Sequence, residues 1–388
     1  MNLELNDIQT MIQQTGKKFA ESELWPVAGQ VEDKSQRPLF LSHLKHLAEL
    51  GFMGLNIHQT YGGTEAGVVA FSLAVTELAR GCASTAVTVS VNNMVAEVIQ
   101  SIGTETQKHT YLPKICSGEF SAAAFCLTET GAGSDPANMS TKAVKQNGRW
   151  VINGTKLYIT SAAYAGVFVV WAVTDPGASK GKGISCFLVD AENPGVSISK
   201  EEQKSGQLAS ATNEVVFTDC VVEESAVLGE LNQGFKIAVS ELAGGRIGIG
   251  SLALGLGQKA LSLATEHIKQ REQFGQAIAD FQGIQWMLAE RATELEAARL
   301  LLMQAAYLKE KGEPFGTQAS MAKLFATEKA NKACYTAQQL LGGLGYMKEA
   351  SIERLVRDVR VTSIYEGTSE IQKVIISRDI LKNSLVWC

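Results

Sequence analysis

The chain has few cysteines and prolines, and it lacks long apolar runs. Its 388 residues include 7 cysteines, none in a Cys-x-x-Cys spacing, and 7 prolines beside 36 glycines. An odd number of scattered cysteines excludes a complete disulfide framework and indicates reduced thiols. The apolar runs are too short to span a bilayer, and polar residues between Asn2 and Gln9 interrupt the apolar core that a signal peptide needs. We therefore expect an intracellular protein without a membrane span, in a bacterial cytoplasm or, after removal of a transit peptide, in a mitochondrial matrix.

Clusters of positive charge are absent as well. Lysine and arginine number 35 against 40 aspartates and glutamates, the net charge is -5, and no block of basic residues stands out. Nucleic-acid-binding domains carry such blocks, so a nucleic-acid partner is not expected. A hydrophobic content of 45% over this length instead predicts two or three packed domains with sizeable cores.

Several common site motifs are missing or stand in the wrong context. Gly255-Leu256-Gly257 matches part of a dinucleotide-binding fingerprint, but it lies in a helical pattern with no preceding strand, which favours close helix packing. His43 and His46 share a helical face without a third ligand, so no metal site is predicted. No Gly-x-Ser-x-Gly motif marks a serine hydrolase. These absences disfavour nicotinamide, metal and serine-hydrolase chemistry.

The hydrophobic pattern changes twice along the chain and predicts an α, β, α order. Apolar residues recur at spacings of three and four before about Glu119, short β-rich runs follow, and the helical period then returns. Asn153-Gly154, between the apolar runs Trp150-Val151-Ile152 and Leu157-Tyr158-Ile159, predicts a β-hairpin.

These patterns together predict an α+β multidomain fold. We expect an N-terminal α-helical domain at residues 1–119, a middle β-barrel or sandwich domain at 120–232, and a C-terminal α-helical bundle at 233–388. The long helices of the bundle are predicted at Ile284 to Lys311, Ser320 to Leu341 and Ile371 to Leu381.

The segment Tyr365-Glu366-Gly367-Thr368 combines a carboxylate, an aromatic ring and a glycine. Gly367 leaves the backbone bare, so a ligand can approach and the Glu366 amide can point at a developing oxyanion. Tyr365 can shield the carboxylate, and desolvation raises a carboxyl pKa toward a value useful for a general base. A charged residue beside glycine is also typical of a solvated loop, so the segment alone leaves both interpretations open.

Two further segments have the composition of a cofactor site. In the run from Leu127 to Asp135, a strand-like stretch leads into hydroxyls and two glycines, which offer donors to a flavin or a phosphate. In Arg271-Glu272-Gln273-Phe274-Gly275, the arginine can bind a pyrophosphate and the ring can stack on a base. The second segment equally fits a helix end with a terminal cation and a buried phenylalanine. Arg246, among glycines, is ambiguous alone in the same way.

Together, these segments resemble the acyl-CoA dehydrogenase family, flavoproteins that introduce a trans double bond between the α and β carbons of an acyl-CoA thioester. The resemblance covers essentially the whole chain. The matching sites, in order, are Leu127 to Asp135, Asn153 to Lys156 with Tyr158 to Thr160, Gly245-Arg246-Ile247, Arg271 to Gly275, Gln339 to Gly345 and Tyr365 to Thr368. The run from Arg80 to Thr85 is similar to the short-chain and short branched-chain members. The family's α, β, α architecture agrees with the order predicted above.

The resemblance implies FAD as cofactor and Glu366 as catalytic base. Glu366 would remove the α proton while N5 of FAD accepts the β hydride, and the Glu366 amide with a ribityl hydroxyl would hold the thioester oxygen. The positions that match cofactor-binding residues are Leu127, Thr128, Gly133, Ser134, Tyr158, Thr160, Arg271, Phe274, Gln339, Gly343 and Thr368. The positions implied for the substrate are Ser134, Arg246, Tyr365 and Gly367.

The resemblance also implies partners. Arg271, Phe274, Gln339 and Gly343 would reach the FAD of a neighbouring subunit, which implies a homo-oligomer, commonly a tetramer in this family. Electrons would pass to an electron-transferring flavoprotein.

The chain departs from the family's pattern at several positions. Some members carry the base on an earlier helix, at the position of Gly245, and a glycine there supports Glu366 as the base. Phe125 stands where a tyrosine is frequent, which removes one hydrogen bond to the flavin ring, and Leu208 stands where an arginine is frequent.

We therefore predict FAD-dependent α,β-dehydrogenation of a short- to medium-chain acyl-CoA, in fatty-acid β-oxidation or branched-chain amino-acid degradation. Ser84, Thr85 and Val89 are candidates for the wall of the acyl pocket, and they fit plain helix packing equally well. The alternatives are an oxygen-using member of the fold, a member specific for a dicarboxylyl-CoA, and a catalytically silent acyl-CoA-binding protein.

Overall fold

The N-terminal part of the chain is helical, as predicted. The computed structural model describes residues 4–383, so residues 384–388 of the predicted C-terminal domain lie outside it. The first helices are α1 (Asp7–Phe19), α2 (Arg37–Glu49), α3 (Val68–Gly81), α4 (Ala83–Ile102) and α5 (Glu105–Cys116). Both α1 and α5 begin with a capping box, formed by Asn6 with Gln9 and by Thr104 with Gln107. Nearly all residues of α3 are buried, so this helix lies in the core of the N-terminal part.

The middle part is an eight-stranded sheet whose two halves pack on each other. Its strands are β1 (Ala122–Cys126), β2 (Lys142–Gln146), β3 (Arg149–Thr160), β4 (Ala165–Val173), β5 (Ile184–Asp190), β6 (Val196–Glu201), β7 (Thr212–Val222) and β8 (Val227–Leu228). The strand order is β6-β7-β3-β2-β4-β5-β8, and β1 pairs in parallel with β4. One apolar cluster joins both halves, with the rings of Trp150 and Phe187 5.7 Å apart. The predicted β domain is confirmed.

The predicted hairpin at Asn153-Gly154 is wrong. β3 runs unbroken from Arg149 to Thr160, and Gly154 lies at a shift in its register with β7. A Cβ on Gly154 would lie 2.6 Å from the Cα of Thr141, so the glycine serves a close approach of two backbones. The hairpin is instead formed by Asn147-Gly148 between β2 and β3, where φ is 50° and 80°, as a type I′ turn requires.

The C-terminal part is again helical. It contains α6 (Gly234–Gln270), α7 (Gln282–Glu310), α8 (Gly316–Leu340), α9 (Ile352–Arg360) and α10 (Ser369–Asn383), with the short strands β9 (Glu272–Gln273) and β10 (Gln276–Ala277) after α6. The three long helices predicted here are confirmed, and each begins two to four residues earlier than predicted. A Cβ on Gly257 would lie 3.2 Å from the Cα of Ala330 in α8, so the glycines of α6 permit close helix packing.

Helix α6 is long and apolar enough to cross a bilayer by length and composition. However, 67% of its most apolar window is buried inside the protein. It packs against α3, α4, α7 and α8. Such burial is typical of the central helix of a folded core.

Buried asparagines join the first helical part to the sheet. The Asn92 side chain on α4 accepts a hydrogen bond from the Ala123 amide of β1 at 3.0 Å and donates to the Met53 carbonyl oxygen at 2.9 Å. Because Asn92 is fully buried, these bonds satisfy backbone groups that water cannot reach. They place the end of β1 beside α4.

Candidate active site

A cavity of about 460 Å³ lies between α4, α6 and α10 at the ends of β1 and β3. Ten of the predicted site residues line it: Leu127, Thr128, Gly133, Ser134, Tyr158, Thr160, Arg246, Tyr365, Glu366 and Gly367. Thr368 lies next to it at the start of α10, where its hydroxyl accepts a hydrogen bond from the Ile371 amide at 3.3 Å. Segments that are up to 240 positions apart in sequence therefore meet in one place.

The remaining four predicted residues lie elsewhere. Arg271, Gln339 and Gly343 line a second cavity, of about 710 Å³, at the ends of α6 and α8. Helix α6 does end just before Arg271, but Phe274 is 94% exposed, so the interpretation of this segment as a helix end with a buried phenylalanine is wrong. A single chain does not bring these four side chains to Glu366.

The backbone at Glu366 adopts a conformation that residues other than glycine rarely take. Glu366 has φ 54° and Gly367 has φ 86°, both in the left-handed region. For a residue other than glycine, this backbone conformation is unfavourable by roughly 1–3 kcal/mol of free energy. Two fully buried donors hold this turn. Lys323 Nζ and Gln372 Nε2 each donate to the Gly367 carbonyl oxygen at 2.8 Å, and Gln372 also donates to the Glu366 carbonyl oxygen at 3.2 Å.

The electrostatic environment of Glu366 suits a proton acceptor. Burial raises the pKa of Glu366 to about 7, and the charges of Arg246 and Lys323 oppose that rise without cancelling it. Its Oε2 is buried and has no hydrogen-bond partner among residues 4–383. A carboxylate with a free acceptor atom and a pKa near neutrality can accept a proton at physiological pH.

Gly245 on α6 leaves the space that the Glu366 carboxylate occupies. A Cβ at this position would lie 2.7 Å from Glu366 Oε2 and 2.8 Å from Met94 Sδ. The glycine predicted to support Glu366 therefore faces it directly.

Tyr365 is held in the cavity wall by a residue that the sequence did not single out. The buried Gln207, from the loop between β6 and β7, donates through Nε2 to the Tyr365 hydroxyl at 3.1 Å. The backbone amide of Gln207 donates to Asp358 Oδ1 at 2.5 Å. Burial raises the pKa of Tyr365, so this hydroxyl stays neutral and can take part in the hydrogen bond as a donor or an acceptor.

A buried ion pair fixes the glycine-containing loop against β3. Lys156 is fully buried, and its Nζ lies 2.8 Å from Glu129 Oε1 and 3.1 Å from the Leu127 carbonyl oxygen. Burial acts to raise the pKa of Glu129, but the Lys156 charge and hydrogen bonds from Ser140 and Thr141 outweigh it and lower that pKa to about 2. The sequence contained both partners, yet nothing in it showed that they meet.

The wall that α4 contributes to the cavity is apolar. Val87, Val91 and Met94 line it at helical spacing. Ser84, Thr85 and Val89, the predicted wall residues, are buried but do not line the cavity. Helix α4 is buried on every side between Ala83 and Ala96, so burial alone could not show which of its residues face the cavity.

The residues present fit FAD. A Cβ built on Gly131 or Gly133 would have no neighbouring atom within 4 Å, so the loop leaves open space for a large group. Thr128, Ser134 and Thr160 bring hydroxyl groups to the same cavity. The Tyr158 ring is 62% exposed beside them and offers a flat apolar surface.

The α, β, α fold and this site define a flavin-dependent oxidoreductase. The chain belongs to the acyl-CoA dehydrogenase family, whose cofactor is FAD. It matches the family's N-terminal domain at residues 6–119, its middle domain at 124–220 and its C-terminal domain at 232–381.

Curated relatives and solved structures match over almost the full length. An acryloyl-CoA reductase (NADH) of Anaerotignum propionicum is 41% identical over 98% of this chain and 96% of its own. The mitochondrial short-chain specific acyl-CoA dehydrogenase of Bos taurus is 42% identical over 98% and 92%. Among solved structures, butyryl-CoA dehydrogenase from Megasphaera elsdenii has a TM-score of 0.94 at 36% identity, covering 98% of this chain and 100% of that one. A chain from a solved structure described as the electron transferring flavoprotein of Acidaminococcus fermentans has a TM-score of 0.95 at 39% identity, covering 99% of this chain and 100% of that one.

Proposed function

We propose that the protein converts short- to medium-chain acyl-CoA thioesters to trans-2-enoyl-CoA, with Glu366 as the base that removes the α proton. The observation that carries the proposal is the Glu366 carboxylate, with its unpartnered Oε2 and a pKa near 7, in the cavity that the glycine-containing loop also lines. Relatives named for short-chain acyl-CoA and butyryl-CoA support the substrate class.

Bound FAD supplies the acceptor for the hydride that leaves the β carbon. In this proposal the residues of the Glu366 cavity that hold FAD are Leu127, Thr128, Gly133, Ser134, Tyr158 and Thr160, with Thr368 near the diphosphate. Arg271, Phe274, Gln339 and Gly343 serve the FAD of a neighbouring subunit, which explains why they lie apart from Glu366 and makes a homo-oligomer, with a tetramer as the expected form, part of the proposal.

The chain's own residues carry the proton step. The Glu366 carboxylate accepts the α proton, and its amide stabilises the negative charge that develops on the thioester oxygen. Arg246 helps to position the CoA ester, and its charge favours the ionised form of Glu366 before substrate binds. Tyr365 and Met94 shield the carboxylate from water.

The cavity wall supports an alkyl chain over a dicarboxylyl chain. Every side chain that α4 contributes to it is apolar, and Ile249 of α6 adds a further apolar surface. A second carboxylate at that end would lose its hydration without gaining a charged partner from α4.

The electron acceptor and the compartment are also part of the proposal. A chain 39% identical to this one occurs in a solved structure described as an electron transferring flavoprotein, which supports such a flavoprotein as the acceptor. Bacterial and mitochondrial relatives support a bacterial cytoplasm or a mitochondrial matrix.

The similarity to an acryloyl-CoA reductase favours one second candidate, the reverse reaction. In that direction Glu366 donates the α proton to an enoyl-CoA. Acryloyl-CoA reduction by NADH in the presence of the partner flavoprotein, without turnover of butyryl-CoA, would establish this alternative.

The proposal is tested with Glu366→Gln, which deletes the base and nearly preserves its shape. Anaerobic mixing with butyryl-CoA should bleach the flavin band of the wild type. In E366Q we expect FAD and butyryl-CoA to bind, while the rate of bleaching falls by roughly 10²–10⁴-fold. Glu370→Gln, an exposed carboxylate on the next helix, is the matched control and should behave as the wild type.

Three results would contradict the proposal. Near-wild-type bleaching in E366Q would move the base elsewhere. If butyryl-, isobutyryl-, octanoyl- and glutaryl-CoA all leave the wild-type flavin oxidised, an acyl-CoA-binding protein would be favoured. A strong preference for octanoyl-CoA or longer chains would refute the short-chain assignment.

A further inference from the structure

Side chains of helix α8 form hydrogen bonds with the Glu366–Gly367 turn and with residues next to it. Lys323 Nζ donates to the Gly367 carbonyl oxygen at 2.8 Å. Five residues later, Glu328 Oε1 accepts a hydrogen bond from the Ser369 hydroxyl at 2.5 Å. On the same face, Ser320 Oγ accepts from Arg246 Nη1 at 3.4 Å. Helix α8 therefore contacts the Glu366–Gly367 turn, the start of α10 and Arg246.

A buried lysine is an unusual residue for a hydrogen bond that only stabilises a turn. Lys323 is fully buried, and no carboxylate in the described part of the chain lies within 4.0 Å of its Nζ. Gln372 already donates to the same carbonyl oxygen at 2.8 Å without carrying a charge. A buried ammonium is costly, so a second neutral donor would hold the turn at a smaller cost. The positive charge itself requires an explanation.

The charged groups around Lys323 single out Glu366. They are Glu366 and Arg246 beside the cavity, Glu328 on α8 and Glu370 on α10. Glu328 is engaged with Ser369, and Glu370 is exposed to solvent that screens its charge. Glu366 is the carboxylate whose side chain is shielded and whose Oε2 has no partner in residues 4–383.

We propose that Lys323 is a positioning residue that holds the Glu366–Gly367 turn through the Gly367 carbonyl oxygen and favours the ionised form of Glu366 before the substrate binds. The inference rests on the proposed role of Glu366 as the base. Burial lowers the pKa of Lys323 to about 8, so the ammonium form still dominates at neutral pH. The charge therefore acts in the pH range in which Glu366 has to be ready to accept a proton.

A direct test follows the Glu366 carboxyl by infrared difference spectroscopy on the FAD-loaded protein across pH 5 to 10. Subtraction of E366Q identifies its band. We expect a midpoint near pH 7 in the wild type and an upward shift of about one unit in Lys323→Met, because a neighbouring positive charge is lost. Lys323→Arg keeps the charge and should keep the midpoint. Lys332→Met on the same helix, 54% exposed and paired with Glu294, is the matched control.

Flavin reduction by butyryl-CoA supplies a second readout. A one-unit shift leaves about one fifth of the wild-type carboxylate at pH 7, so K323M should be about fivefold slower there and recover toward the wild type at pH 9. An unchanged midpoint, or a loss of the same size at every pH, would overturn the proposal and leave Lys323 a structural role. If K323M does not fold, Lys323→Gln carries the same test. A wild-type flavin that no acyl-CoA reduces would refute the proposed function instead, and the infrared midpoints would still show whether Lys323 controls Glu366.

Discussion

Replacement of Gly245 by alanine adds one methyl group beside the Glu366 carboxylate of the proposed site. The new Cβ would lie 2.7 Å from Glu366 Oε2 and 2.8 Å from Met94 Sδ, whereas ordinary contacts begin at 3.4 Å. The carboxylate or the helix therefore has to move by about 0.7 Å. Met94 is itself buried, so it offers little space for the relaxation.

The expected effect is a loss of rate with little loss of stability. A misplacement of about 1 Å in a reacting group can cost roughly 10²-fold, so we expect G245A to reduce the flavin about 10–100-fold more slowly. Alanine in a helix is favoured over glycine by about 0.5–1 kcal/mol, which offsets part of the overpacking cost of about 1–3 kcal/mol. The FAD-loaded variant should therefore still fold.

The assay is single-turnover flavin reduction by butyryl-CoA, with thermal unfolding of each variant measured in parallel. Gly244→Ala is a close control, because its Cβ would meet only the far end of the Lys309 side chain, 2.7 Å away at Nζ, and this long side chain can adjust its position while it stays paired with Glu97. Equal reduction rates in G245A and G244A would refute the reasoning, since they would show that Glu366 does not depend on the space at Gly245.

Two further outcomes are expected. Glu129→Gln leaves the Lys156 ammonium buried without its counter-charge, so the free energy of unfolding in urea should fall by about 3–5 kcal/mol and FAD should bind less tightly. Glu224→Gln in the exposed pair with Lys145 is the control and should change the free energy of unfolding little. Equal urea midpoints in the two variants would show that the buried pair has no such role. The value of kcat/KM should rise with pH through about 7, because the base acts in its ionised form and the pKa of Glu366 is raised to about 7. A flat profile from pH 5.5 to 8.5 would show that the ionisation of Glu366 does not control kcat/KM.

The order of helices and strands was predictable because hydrophobic periodicity is a local property. The long helices α7, α8 and α10 were predicted, and their starts were misplaced by only a few residues. The hairpin was misplaced because an Asn-Gly pair marks either a turn or a close approach, and only the position of Thr141 decides between them.

The main elements of the site were predictable, and their supports were not. Glu366 and the glycine-containing loop stand in recognisable local segments. Lys323 lies in an apolar helical window and bonds a carbonyl 44 positions away, and Gln207 meets Tyr365 across 158 positions. Contacts of this range depend on how the domains pack, so no local pattern predicts them.

The walls of the Glu366 cavity come from separate parts of the chain. The apolar wall is on α4, the hydroxyl-bearing loop follows β1, and the carboxylate precedes α10. Under the proposed function, substitutions at Val87 or Val91 would alter which acyl chains fit without changing Glu366, because the α4 wall carries no ionisable group. Mutations in one helix would then diversify the substrate range while the proposed reaction is preserved.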